Sequence, residues 1–222
     1  MAGVAGTLTT SPVRVDLSEQ SATGMLKVVN EGKTRSIIQI DTVSWRQEKG
    51  DDLYTPTDDL LALPTLFELE PGERQLVRVG VRKSPESGTE RAYRLYLSEV
   101  PDKSVPEKKA VRVLLRIGIP VFVHKSEQVA SALHWQASCA GGILRLQASN
   151  GGKGHARIIK FSLKAKSGKK PLGGVASPSY VLAGAKRIWS LDVATCPAPG
   201  SKLALSVKTE EGLLNAQVLL DE

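Results

Sequence analysis

The chain has 222 residues, of which 41% are hydrophobic and 24% charged, the balance of a globular protein long enough for two domains with separate cores. No stretch approaches the ~20 consecutive apolar residues of a membrane helix, so membrane insertion through one is not expected. The net charge of +7 is uneven: residues 1–125 carry 18 Lys/Arg against 17 Asp/Glu, and residues 126–222 carry 12 against 6.

From the N-terminus, Met1 to Gly6 lacks the charged n-region and apolar core of a signal peptide. In an exported protein it reads as a mature form with an added start Met. Short apolar runs then recur between Gly, Pro, Asn and Asp, the rhythm of β-sandwiches, and almost nothing reads as helix. In the first half the expected strands are Met25–Val29, Ser36–Trp45, Leu66–Leu69, Gln75–Arg82, Tyr93–Val100 and Lys109–Val123. Asn30-Glu31-Gly32 and Lys49-Gly50-Asp51-Asp52 are natural turns, and Pro71-Gly72 favours a tight one. Residues 51–64, broken by Pro56, Asp58 and Asp59, read as a loop or a weak edge strand.

The run Lys109–Val123 is long against a typical strand of about five or six residues. Val111, Val113, Leu115, Ile117 and Ile119 alternate with Arg112, Leu114, Arg116, Gly118 and Pro120. Pattern alone favours a central core strand; at a sheet edge the same run would template pairing with another chain.

The polar stretch His124 to Gln128 marks a domain boundary, giving domains 1–124 and 125–222. Beyond it, strands are expected at Ile143–Ala148, Ala156–Leu163, Ser179–Leu182, Ile188–Val193, Leu203–Val207 and Ala216–Leu220. Lys164, Lys166, Lys169 and Lys170 are spaced by small residues with few aromatics nearby. They read as a solvated strand and turn, so no nucleic-acid partner is expected. Cys139 and Cys196 lie on or beside strands; exported, they would pair, and in a reducing compartment they would be buried thiols.

Nothing supports catalysis. The three histidines, His124, His134 and His155, have no ligand-like spacing, so neither metal nor cofactor is expected. No Gly-x-Ser-x-Gly elbow or phosphate-cradling loop appears. Gly141-Gly142 and Gly151-Gly152 read as turns, and Asp58-Asp59 has no evident partner.

The stretch Pro64-Thr65-Leu66-Phe67-Glu68-Leu69-Glu70-Pro71-Gly72-Glu73-Arg74-Gln75 closely resembles the signature of the periplasmic pilus chaperones, the PapD-like family. There a Pro, a short apolar stretch, Pro-Gly, a Gln and an Arg recur in this order, and the run here continues to Arg82. Arg14, sixteen residues before Asn30, resembles that family's first strand and its turn. Trp45 sits where the family carries a core aromatic on its third strand. Glu90 to Pro101 looks like its sixth strand, ending in Glu-apolar-Pro, and Ile117 to Val123 like the end of its seventh. The resemblance is strong over residues 10–124 and rests on strand rhythm beyond. The Tyr-Arg-Leu and Ile-Pro-Val-Phe-Val wording is most similar to the branch serving archaic, spore-coat-like pili.

The resemblance implies an all-β chain of two immunoglobulin-like β-sandwich domains in series, arranged as a boomerang, located in the periplasm, with Cys139 bonded to Cys196. It implies a chaperone that folds, caps and delivers pilus subunits lacking their last strand to an outer-membrane usher, by donor-strand complementation. An oligomer that caps itself when free is a further partner class it raises. Val111, Val113, Leu115 and Ile117 would fill the subunit's pockets. Burying three such side chains would give roughly 5–8 kcal/mol before association costs. The subunit's C-terminal carboxylate would be held by Arg14 and a second cation. Pro120 stands where the family carries a Lys, so Arg94, with Arg116 behind it, is the expected replacement. Glu90 and His124 fall at positions that link the family's domains. The alternative is a two-domain immunoglobulin-like adhesin or structural pilus subunit binding carbohydrate or matrix, which would keep the seventh strand within its own sheet.

Overall fold

The structure, a computed structural model, describes residues 8–83, 88–101, 113–125, 129–165 and 171–221, all of it strand, turn or irregular chain. The chain groups into two compact units: Met1–Trp45 with Tyr54–Glu127, and Arg46–Leu53 with Gln128–Glu222.

The first unit carries β1 (Leu8–Ser11), β2 (Val15–Ser18), β3 (Thr23–Asn30), β4 (Ser36–Glu48), β5 (Asp51–Pro56), β6 (Leu60–Leu63), β7 (Leu66–Leu69), β8 (Arg74–Val81), β9 (Arg91–Val100) and β10 (Arg116–His124), the tips of β4 and β5 counting with the second unit. One sheet runs β1-β3-β8-β6, the other β2-β10-β9-β4-β5 with β7 beside β4. Period-two alternation places the core: Leu26 and Val28, Val77 and Val79, and Tyr93, Leu95 and Leu97 all point between the layers. The β7–β8 turn is Glu70-Pro71-Gly72-Glu73, closed by Glu73 N donating to Glu70 O at 3.0 Å. Gly72 has φ +79°, which this type of turn requires of its third residue. Asn30, fully buried at the end of β3, donates through Nδ2 to Thr34 O and Leu69 O, and its Oδ1 accepts from Gly32 N.

The second unit carries β11 (Leu133–Ala140), β12 (Ile143–Asn150), β13 (Ala156–Ala165), β14 (Pro171–Val175), β15 (Ser179–Val181), β16 (Lys186–Asp192), β17 (Lys202–Thr209) and β18 (Leu213–Asp221). Pairing runs β14-β13-β17-β18-β11-β12-β16, with β15 beside β13. Its two halves, joined by a short parallel contact of β11 with β18, enclose one core. Within it Trp189 lies 6.0 Å from Trp135 and 5.2 Å from Phe161. Asn150 repeats the device of Asn30: Nδ2 donates to Gly154 O and Val181 O, and Oδ1 accepts from Ala132 N and Gly152 N. Cys139 and Cys196 form the disulfide, closing a separation of 57 residues, which in the loop-closure model adds about 4 kcal/mol.

Residues 51–64, read as a loop or a weak edge strand, hold two strands at sheet edges, β5 and β6; all but one position of β5 is exposed, so it has no alternation to read. Several other sequence expectations need correction. The strands β1, β2, β11 and β14 were not expected as elements in their own right. Within the described residues β10 begins at Arg116, not at Lys109; residues 113–115 are not strand, and 109–112 lie outside the described residues. Lys164 is on β13, while Lys166, Lys169 and Lys170 lie outside the described residues.

Candidate functional site

Strand β10 is central along only part of its length. From Arg116 to Val123 it pairs antiparallel with β9. Its parallel pairing with β2 covers only Val121 to His124, against Val15 to Ser18. Among the described residues, the far edge of Arg116–Pro120 therefore has no strand beside it. Such an edge presents unpaired main-chain groups to another chain. Pro120, which has no N–H to give to a ladder, falls at the end of this one-sided stretch, a position a sheet tolerates.

The side chains of this segment divide by face. Ile119, Val121 and Val123 are core residues, and Leu115 and Ile117 pack against the same core while only partly covered. Val113, next in the alternation, is 54% exposed. An apolar row thus runs from inside the sandwich out to solvent. Val111 lies outside the described residues.

The opposite face of the same sheet carries the cations. Trp45, Ala92 and Phe122 come level across β4, β9 and β10. The next level is Val43, Arg94 and Pro120, then Asp41, Tyr96 and Gly118, then Gln39, Ser98 and Arg116. Arg14 immediately precedes β2, one residue before the Val15–Val121 pair with which the β2–β10 pairing begins. Arg94 comes level with the Pro that stands in place of the expected Lys. Trp45 is buried, but on this face rather than in the sandwich core where its position implied. The Arg94 guanidinium lies 4.4 Å from the Trp45 ring centroid and 5.9 Å from that of Tyr54. Its Nη1 donates a long 3.4 Å bond to Gly118 O, and its shielded Nε has no hydrogen-bond partner among the described residues. Arg116 stacks at 4.0 Å over Tyr96, and Arg14 Nε is paired with Asp16 at 2.8 Å. Two stacked guanidiniums beside an aromatic wall can present donors in the planar geometry that a carboxylate accepts.

Sequence reasoning missed the aromatic wall of Tyr54 and Tyr96 and the role of Gly118. A Cβ at Gly118 would stand 3.0 Å from Tyr96 Cε1 and 3.4 Å from Arg94 Nη1. A lone Gly inside a strand pattern signals such close approach. Glu90 immediately precedes β9 and His124 ends β10, and both belong to the first unit. Among the described residues no three His, Cys, Asp or Glu side chains gather as a metal ion would require.

Comparison with known proteins bears on the fold and the family. Residues 7–127 match the family model described as pili and flagellar-assembly chaperone, PapD N-terminal domain. No curated protein matches the chain. Among solved structures, a chain of the CsuC–CsuE chaperone–tip adhesion subunit pre-assembly complex, from archaic chaperone–usher Csu pili of Acinetobacter baumannii, is 21% identical. That likeness covers 97% of this chain and 100% of that one, with a TM-score of 0.72. A chain of the Salmonella enterica SafA pilin–SafB chaperone complex is 16% identical over 97% and 98% of the two chains, with a TM-score of 0.66. The E. coli chaperone DraB is 18% identical over 98% and 100%, with a TM-score of 0.61. The likeness in fold spans 97–98% of this chain and so includes the second unit, where strand rhythm alone carried the resemblance. With more than half of its residues matched by the family model, the chain belongs to the PapD-like family of pili and flagellar-assembly chaperones.

Proposed function

We propose that the protein works in the periplasm by donor-strand complementation, binding pilus subunits that lack their last strand and passing them to an outer-membrane usher. The observation that carries this reading is the one-sided stretch of β10. It offers an open main-chain edge over Arg116–Pro120 and an apolar row emerging through Ile117, Leu115 and the exposed Val113. A subunit missing a strand has the complementary defect, a groove with unpaired main-chain groups and an uncovered core. Adding β10 and the segment before it supplies hydrogen bonds to the first and side chains to the second. Val111, Val113, Leu115 and Ile117 are the pocket-filling residues in this reading. Family membership favours a chaperone over an adhesin or structural subunit.

The subunit's C-terminal carboxylate binds on the opposite face, between Arg14 and Arg94, with Arg116 two levels further out along β10. The support is the pairing of Arg94 with Pro120 and the place of Arg14 just before the Val15–Val121 pair, together with an Arg94 Nε that has no hydrogen-bond partner among the described residues. Anchoring the chain end there sets the register in which subunit residues meet the donor row. The resemblance in the Ile-Pro-Val-Phe-Val run and the likeness to a chain of the Csu complex support assignment to the branch serving archaic pili.

Co-expression with a pilus subunit and recovery of the complex through a tag on the chaperone tests the reading. Val113→Asp with Leu115→Asp should abolish recovery while circular dichroism stays that of the parent, because an unpaired carboxylate cannot enter an apolar pocket without several kcal/mol of penalty. Unchanged recovery with both aspartates present would rule out strand donation.

A further inference from the structure

Glu99 is the one buried acid among the described residues, 7% exposed on the core-facing row of β9. A carboxylate there is costly unless its oxygens are hydrogen-bonded, and both are. Oε1 accepts from the hydroxyl of Ser36, itself 1% exposed, at 2.9 Å. Oε2 accepts from the main-chain N–H of Leu115 at 3.3 Å. The Glu99 N–H in turn donates to Leu115 O at 2.8 Å. Both main-chain polar groups of Leu115 are therefore held by one residue, one through its backbone and one through its side chain. Leu115 is also where the β9–β10 ladder stops: the register begins at Arg116–Ser98, and Val113 and Leu114 beyond it are exposed.

We propose that Glu99 is a positioning residue for the donor segment, a clip braced by Ser36 that fixes Leu115 at the point where the segment leaves the sheet. The chain needs such a fixture because side-chain facing has period two. A slip of one residue past Leu115 would turn Val113 and Val111 away from the subunit and present Leu114 and Arg112 instead. An apolar residue at position 99 could fill the space but could not accept the Leu115 N–H. A carboxylate braced from β4 both accepts it and fixes its direction.

The inference rests on the donor-strand reading, and its test separates the two. In the free protein, Glu99→Ala should speed amide hydrogen exchange at Leu115 about tenfold or more, the loss expected for a hydrogen bond to a charged group. Exchange at Leu95 and Val121 should stay as in the parent. Glu99→Gln keeps an oxygen acceptor and should lie near the parent. Ser36→Ala, which removes the brace, should speed Leu115 severalfold. Complex recovered with a subunit should fall in the same order. Unchanged Leu115 exchange in Glu99→Ala, or recovery at the parent's level despite faster exchange, would overturn the proposal. Should Glu99→Ala fail to fold, unchanged Leu115 exchange in Ser36→Ala would overturn it instead. If Val113→Asp with Leu115→Asp binds like the parent, the donor reading fails and the positioning role with it. The exchange result alone still decides whether the clip exists.

Discussion

Arg94→Ala separates anchoring of a carboxylate from a role within the free fold. In the free protein the guanidinium stacks on Trp45 at 4.4 Å and more distantly on Tyr54, interactions of about 0.5–2 kcal/mol. Against this stands Nε, shielded from water with no hydrogen-bond partner among the described residues, a desolvation cost of about 1–3 kcal/mol that truncation also removes. The terms oppose one another and are of similar size. The melting temperature of the free chaperone should therefore move by no more than about 2–4 °C, the shift per kcal/mol for a chain of this length. In the complex, truncation leaves the carboxylate without a charge-assisted partner. The expected cost is about 2–5 kcal/mol, roughly a thirty- to several-thousand-fold loss of affinity. Arg94→Lys keeps the charge but loses the planar fork and should fall between. Arg14→Ala should behave like Arg94→Ala. Arg82→Ala, an exposed residue just past β8 in the other sheet, should not reduce recovery. Thermal melts of the free variants and recovery of complex, with a subunit amidated at its C-terminus as the reciprocal control, decide the matter. If Arg94→Ala binds like the parent while Arg116→Ala fails, the cation is on the wrong strand. If none of Arg14, Arg94 and Arg116 matters, this face does not anchor the carboxylate.

Two further predictions concern the fold. Asn150→Ala strands two main-chain donors and two acceptors inside the second unit and should cost about 3–5 kcal/mol. Denaturant unfolding followed by Trp135 and Trp189 fluorescence reads it, and a loss below about 1 kcal/mol would contradict the assigned network. Burial pushes the Tyr93 phenol above its ordinary value of 10.0, with a hydrogen bond to Arg91 opposing. The unfolded phenol ionises first, so the folded chain binds more protons and its stability should fall as pH rises above about 10. Tyr93→Phe should flatten that decline in melts between about pH 8 and 11, and an unchanged slope would contradict the assignment.

How much was legible in the sequence depended on burial. Strands with one buried face declared themselves: Val77 and Val79 in β8, and Tyr93, Leu95 and Leu97 in β9, alternate because water lies on one side and the core on the other. β5 has no buried face, and β1 buries only Leu8, so neither shows an alternation. The run ending at Val123 looked uniform because its apolar row continues past the point where its neighbours change. Only the pairing reveals that β2 joins at Val121 and that the stretch before it has an open edge. The cations were found by resemblance, but the level that Arg94 shares with Pro120 comes from register, which no spacing along the chain encodes. Glu99 was visible only as part of a Glu-apolar-Pro ending. Its bonds to Ser36 and Leu115 join β4, β9 and the residue just before β10, and nothing local to its own strand points to them.

The central claim is that the emerging row of β10, and no other surface of the first unit, enters the subunit. Site-specific photocrosslinking tests it most directly, with a benzophenone side chain placed at position 113 or at position 76. Val113 continues the donor row, and Leu76, 50% exposed, lies on the outer face of the other sheet. Position 113 should crosslink to the co-expressed subunit and position 76 should not. A subunit crosslink from position 76 with none from position 113 would contradict strand donation by this segment.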